Sequence, residues 1–298
     1  MFQRSLFAMA VSLSACGGES SVPDAAPCVP ADPPAADCSD VCFDARGPEL
    51  RLAVDVATLG LAAPPAGSRA VKVAVFYTVA PHVGSWTGES FAGHVRGIVT
   101  STNAILAQCQ MHVELETAQV VAIPGRLLDH QGNEEGSFGG HPPEGTPNPD
   151  LFDYQQNERL TAESMELFQY GKRHSSPNTI SAFTVEHIIY YANQMLDQAG
   201  GLSYPANIYH HPDDYPYRNS VLLVPRYGAC GALPGPAGNR TLAHEIGHML
   251  LNSGGHAGDS LNLMQGGTQL TPTQCTTMAS NLERLFGAAA VPDPGPPT

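Results

Sequence analysis

The chain has 298 residues, room for one catalytic domain of about 200 residues with appendages. Lys and Arg total 14 against 28 Asp and Glu, a net charge of −14 that argues against nucleic acid and anionic membrane surfaces as partners. Charged residues are only 14% of the chain and Gly and Pro number 30 and 26, yet apolar residues hold at 42%, so a loop-rich fold is expected and a disordered chain is excluded.

Residues 1–16 read as an export signal: Arg4 supplies the positive start, Leu6-Phe7-Ala8-Met9-Ala10-Val11 the apolar stretch, and Leu13-Ser14-Ala15-Cys16 the end. That tetrapeptide resembles the bacterial lipobox, whose cysteine is lipidated and becomes the mature N-terminus. The expectation is an exported lipoprotein of the cell envelope or surface, anchored at Cys16, with plain secretion after cleavage at Ala15 as the alternative. No apolar run reaches the roughly 18 residues that span a bilayer, so the anchor is the expected membrane attachment. Residues 17–66 are rich in Pro, Ala, Ser and Gly and read as a tether. Of seven cysteines, setting Cys16 aside leaves Cys28, Cys38, Cys42, Cys109, Cys230 and Cys275. An even set in an exported chain favours three disulfides, and complete pairing requires at least one bridge from tether to body.

The body is expected over 67–287. Val71-Lys72-Val73-Ala74-Val75-Phe76-Tyr77-Thr78 suits a buried strand. Ser90 is placed to cap a helix whose Phe91, Val95, Ile98, Ile105 and Cys109 keep helical spacing, and a half-buried strand follows over 111–121. Residues 124–178 turn to Gly, Pro and acidic types and read as an insertion with a short helix over 161–170. Its Asp129, His130, Glu134, Glu135 and His141 are read as solvated loop residues, not a second ion site, as are His210, His211, Asp213 and Asp214. A strand is expected within 179–189, an edge strand at Gly200-Gly201-Leu202-Ser203-Tyr204-Pro205, and another strand at Asn219-Ser220-Val221-Leu222-Leu223-Val224.

His244-Glu245-Ile246-Gly247-His248 comes next. On a helix, positions four apart stack on one face about 6 Å apart along the axis, near enough to share one ion. Glu245 falls beside that face, in reach of a water but not obliged to bind the metal. A helix that ran on would carry His256 about 12 Å too far, so the chain must turn back, and Asn252, Gly254 and Gly255 tolerate the left-handed conformation that ends helices. Asn262-Leu263-Met264 follows. Thr271-Pro272 then opens a last helix lined by Cys275, Met278, Leu282 and Leu285 and stopped near Gly287, before a frayed tail over 288–298.

These motifs resemble those of the metzincin-type zinc metallopeptidases, whose pattern is His-Glu-x-x-His-x-x-Gly-x-x-His followed by a turn carrying a methionine. The resemblance extends over residues 68–287. It implies an α+β zincin-like fold: a twisted mixed sheet, an active-site helix, a methionine turn and a C-terminal helix. It further implies zinc held by His244, His248 and His256, Glu245 as general base, and Met264 as a packed floor. Two departures stand out. Seven residues separate His248 from His256 where the pattern has five, and Leu251 takes the place of the patterned glycine. Asp259 is therefore the alternative third ligand, and Glu283 a more remote one. The implied activity is endopeptidase hydrolysis of a protein or peptide substrate by a metal-activated water, with 200–205 as the edge strand along which an extended peptide is added. The alternatives are a non-catalytic zinc-holding surface lipoprotein that binds a partner, and a metal hydrolase acting on another bond. Oligomeric state is not readable.

Overall fold

The computed structural model describes residues 47–79, 86–124, 127, 129–131, 160, 162–185, 187–192, 195–198, 200–205, 217–224 and 240–287. The export signal, Cys16, Cys28, Cys38, Cys42, Cys230, the loop residues Glu134, Glu135, His141, His210, His211, Asp213 and Asp214, and the tail lie outside these residues, as do the side chains of Asp129 and His130. Among the described residues, no helix is long and apolar enough to cross a membrane.

Six strands form the main sheet: β1 (Glu49–Val54), β2 (Arg69–Val79), β3 (Met111–Ala122), β5 (Ile180–Thr184), β8 (Gly201–Ser203) and β9 (Ser220–Leu223), in the order β1-β3-β2-β5-β9-β8. The inner pairs β3–β2, β2–β5 and β5–β9 are parallel, whereas β1 and β8 close the two edges antiparallel. Inner parallel strands are buried on both faces, which is why β2 reads as an almost unbroken apolar run. Its side chains divide by alternation. Val71, Val73, Val75 and Tyr77 join one core with helix α1 (Gly88–Leu106), the helix α3 (Thr241–Leu251) and the helix α4 (Pro272–Phe286). Ala74 and Phe76 join the opposite core with helix α2 (Ala162–His174). Three further strands, β4 (Asp129–Gln131), β6 (His187–Ala192) and β7 (Met195–Gln198), form a separate sheet in the order β4-β6-β7.

Three expectations are adjusted. The segment read as tether already contributes to the fold from Glu49: β1 pairs with β3, and a short 3-10 turn buries Leu59 completely. Leu52, Val54 and Val56 alternate toward the core, a period-2 signal masked by the Pro- and Ala-rich stretches on either side. The C-terminal part of the expected insertion is core material, since Leu160, Leu167 and Phe168 are all buried in the core on the α2 side of the sheet. Finally, Thr87, not Ser90, caps α1. Its extended backbone lets Oγ1 accept from Ser90 N at 3.1 Å, while Ser90 Oγ accepts from Thr87 N at 3.1 Å, a reciprocal capping box.

Thr271 and Gln274 make the same kind of box at the start of α4, with Pro272 just inside it. A disulfide between Cys109 and Cys275 joins the end of the α1 segment to the first turn of α4, closing 166 residues of sequence that include helix α3. Replacing both cysteines by Ala is expected to lower stability by about 2–5 kcal/mol, as a closure of this length relaxes in the unfolded chain. Urea unfolding of the variant against the wild type checks this, and an unchanged midpoint would contradict it.

Candidate metal centre

Helix α3 presents three kinds of face. Leu242, Ile246 and Met249 enter the core beneath the sheet, Ala243 packs with Leu263 and Met264, and His244 and His248 stand one turn apart. The helix ends at Asn252, whose backbone turns left-handed at φ 53° and ψ 47°. Asn252 N donates to Met249 O and Ser253 N to His248 O, each at 3.2 Å, satisfying last-turn carbonyls. Gly254 and Gly255 were expected to share this reversal, but among the described residues the left-handed position here is Asn252 alone. Past the reversal, Ala257 N donates to Met264 O at 3.3 Å, fastening the returning arm to the methionine turn.

The structure brings His244, His248 and His256 together, with one ligand atom from each lying within 4.8 Å of the others. Their ring centroids are 4.7, 5.4 and 5.0 Å apart for the pairs 244–248, 244–256 and 248–256. Asp259 and Glu283 are not part of the group. Asp259 Oδ1 accepts from Leu261 N at 2.9 Å on the surface, and Glu283 pairs with Arg69 at 3.5 Å.

The tautomers of the two helical imidazoles follow from their partners. His244 Nδ1 lies 2.6 Å from Leu263 O, and His248 Nδ1 lies 2.7 Å from Ser253 O. A carbonyl only accepts, so in both rings Nδ1 carries the proton and Nε2 is left as a bare lone pair. Those two Nε2 atoms face each other at 3.1 Å. Neither can donate to the other, so the pair is complementary to a cation. Two nitrogens bound at about 2.0–2.1 Å to one tetrahedral ion would stand roughly 3.3 Å apart, close to the observed gap. Burial lowers the pKa of His244 to about 4 and that of His248 to about 3, so both rings stay neutral and able to ligate.

Glu245 is 3% exposed. Burial raises its pKa to about 8, opposed by a hydrogen bond from the Ser203 side chain on β8. A cation beside it would favour the charged form again. Met264 is 1% exposed and lies under α3 against Gly247, where an added Cβ would come within 2.7 Å of its Sδ. It sits in a 3-10 turn, Leu263–Gln265, capped by Asn262, whose Oδ1 accepts from Met264 N at 2.9 Å.

How this turn is held is not visible in the sequence. Asn262 and Gln274 exchange side-chain hydrogen bonds at 2.8 and 3.0 Å. Gln108 accepts from Leu270 N at 3.1 Å and donates to Thr268 O at 2.7 Å. The Thr271-x-x-Gln274 spacing is a readable capping signal, but the amide pair across 12 residues has no local signature.

No family model matches the sequence, nor does any curated protein. Among solved structures the chain is similar to an archaemetzincin from Methanopyrus kandleri, at 12% identity and a TM-score of 0.38, over 74% of this chain and 99% of that one. It is also similar to a zinc-dependent peptidase from Methanocorpusculum labreanum, at 13% identity and a TM-score of 0.37, over 69% of this chain and 99% of that one.

The buried carboxyl has a pH signature. In the metal-free chain, native Glu245 keeps its proton between its ordinary 4.5 and about 8, where the unfolded chain has released it. Stability contributed by this group is therefore present below that window and lost as pH rises through it. Glu245→Gln has no proton to lose. Its stability advantage over the wild type, both chelator-treated, is expected to grow from about pH 5 to about pH 8 in urea unfolding. A difference that stays flat across this range would argue against a desolvated carboxyl.

Proposed function

We propose that this chain is a zinc-dependent endopeptidase. The observation that carries the reading is the pair of facing Nε2 lone pairs, joined by His256, on a helix that also carries the buried carboxyl of Glu245. Three imidazoles are the donor set of a catalytic zinc site that keeps a position open. When bound, zinc supplies Lewis acidity: it polarises a carbonyl and makes a water nucleophilic near neutral pH. The protein's own groups do the rest. Glu245 accepts the proton of the attacking water and returns it to the departing amine. The backbone carbonyls of Leu263 and Ser253 hold the two helical rings in the ligating tautomer. Strand β8 ends the main sheet, and an extended peptide that pairs with it would be held by main-chain hydrogen bonds. A purely structural metal site gives no reason to desolvate a carboxyl next to it, so the partner-binding alternative is the weaker one.

The cellular setting belongs to the same proposal: export, with a lipid on Cys16, supported by the lipobox-like Leu13-Ser14-Ala15-Cys16. In a bacterial host, Cys16→Ser is expected to move the protein out of the membrane fraction, and a variant that stays there contradicts the anchor.

Glu245→Gln is expected to retain one zinc and to cut cleavage of a denatured protein substrate by at least about 10²-fold. His256→Ala should weaken zinc retention against a chelator by more than the roughly 10–100-fold that loss of an outer-shell partner costs, with Asp259→Ala unchanged. Retained cleavage in the first variant overturns the mechanism. The reverse order of the last two would make Asp259 the third ligand.

A further inference from the structure

We propose that edge strand β8 is the element that positions the base, with Gly201 and Ser203 as its positioning residues. The inference rests on the peptidase reading and deepens it. A Cβ built on Gly201 would lie 2.4 Å from Glu245 Oε1, 2.9 Å from Glu245 Cδ and 2.8 Å from Thr241 Cγ2. Real side chains essentially never make contacts this short, so any residue but glycine would force a shift here, and two of the three nearest atoms belong to the Glu245 carboxyl. The backbone is not what requires glycine there, because Gly201 is absent from the left-handed positions of the chain. The carboxyl requires it.

Helix α3 offers little relief, since Leu242, Ile246 and Met249 on either side of Glu245 are locked in the core. Ser203 is two residues along β8 and so on the same face of the strand. It is 7% exposed, and its side chain hydrogen-bonds Glu245. The strand itself is held by β9: Gly201 pairs with Leu223 and Ser203 with Val221, and Val224 N donates to Gly200 O at 2.9 Å. One short strand therefore does two things. Its outer edge, unpaired among the described residues, is where an extended peptide would pair, and its face sets the carboxyl.

The test uses the full zinc-loaded chain with a denatured protein substrate, and the metal-free chain for crystallography. Gly201→Ala is expected to lower kcat by about 10²-fold, the cost of misplacing a reacting group by about 1 Å, while KM and zinc retention hold. In an E245D background, whose carboxyl is one methylene shorter, adding G201A should cost no more than about threefold, because the crowding has been removed. Ser203→Ala, which adds no bulk, should lower kcat by about tenfold or more. The metal-free G201A structure should show the Glu245 carboxyl displaced. An unmoved carboxyl, an unchanged kcat, a rise confined to KM, or equal losses in both backgrounds would each overturn the positioning role. A zinc-loaded wild type that cleaves nothing overturns the peptidase reading and this inference with it; an active wild type with an indifferent G201A overturns this inference alone.

Discussion

Two imidazole nitrogens, forced to face each other as bare lone pairs 3.1 Å apart, are the constraint to which the rest of this structure answers. Their orientation is set by backbone carbonyls that can only accept. One carbonyl, Leu263 O, comes from the methionine turn, and the other, Ser253 O, comes from the reversal that ends the helix. Holding that geometry therefore means holding two loops. The reversal is held by the last-turn bonds around Asn252. The turn is held by the Asn262–Gln274 amide pair and by Gln108, and Gln274 and Gln108 each immediately precede one cysteine of the Cys109–Cys275 disulfide. Cross-link, amide pair, turn, carbonyl and imidazole form one connected support.

The same region concentrates groups that would rather be in water. Glu245, His248 and Asn262 are all nearly inaccessible, and each has a hydrogen-bond partner inside the protein, while His248 Nε2 keeps its lone pair for a cation. Such networks are costly when half satisfied, because an unpaired buried polar group loses its hydration without return. Desolvation also shifts the ionisable groups: it lowers the pKa of both helical histidines and raises that of the carboxyl, which a cation held by the imidazoles would lower again.

What the sequence made legible were features with a local period or a local chemistry. Four-residue spacing placed His244 and His248 on one face, the apolar run of β2 announced a buried strand, and Thr271-Pro272 marked the last helix. What stayed hidden were contacts made only by folding. Glu245 meets Gly201 across 44 residues of sequence, and the glycine gave no sign that its missing side chain served a carboxyl on another element. β1 was obscured for a different reason: its alternation spans six residues, too few to stand out from the Pro- and Ala-rich sequence around it.

The unusual interval between His248 and His256 has a structural account. In the pattern this chain resembles, the residue three beyond the second histidine makes the turn. Here that residue is Leu251, which remains in the helix and packs against two cores, and the left-handed turn falls one place later at Asn252. One of the two extra residues thus lengthens the helix. The other lies in the arc from Ser253 to Gly255, which Ser253 tightens by accepting from Gly255 N through its Oγ at 3.1 Å. The longer helix moves the start of the arc along by about 1.5 Å, and the extra arc residue adds reach of up to about 3.5 Å to come back. Across seven intervening residues the chain still brings His256 among the other two rings.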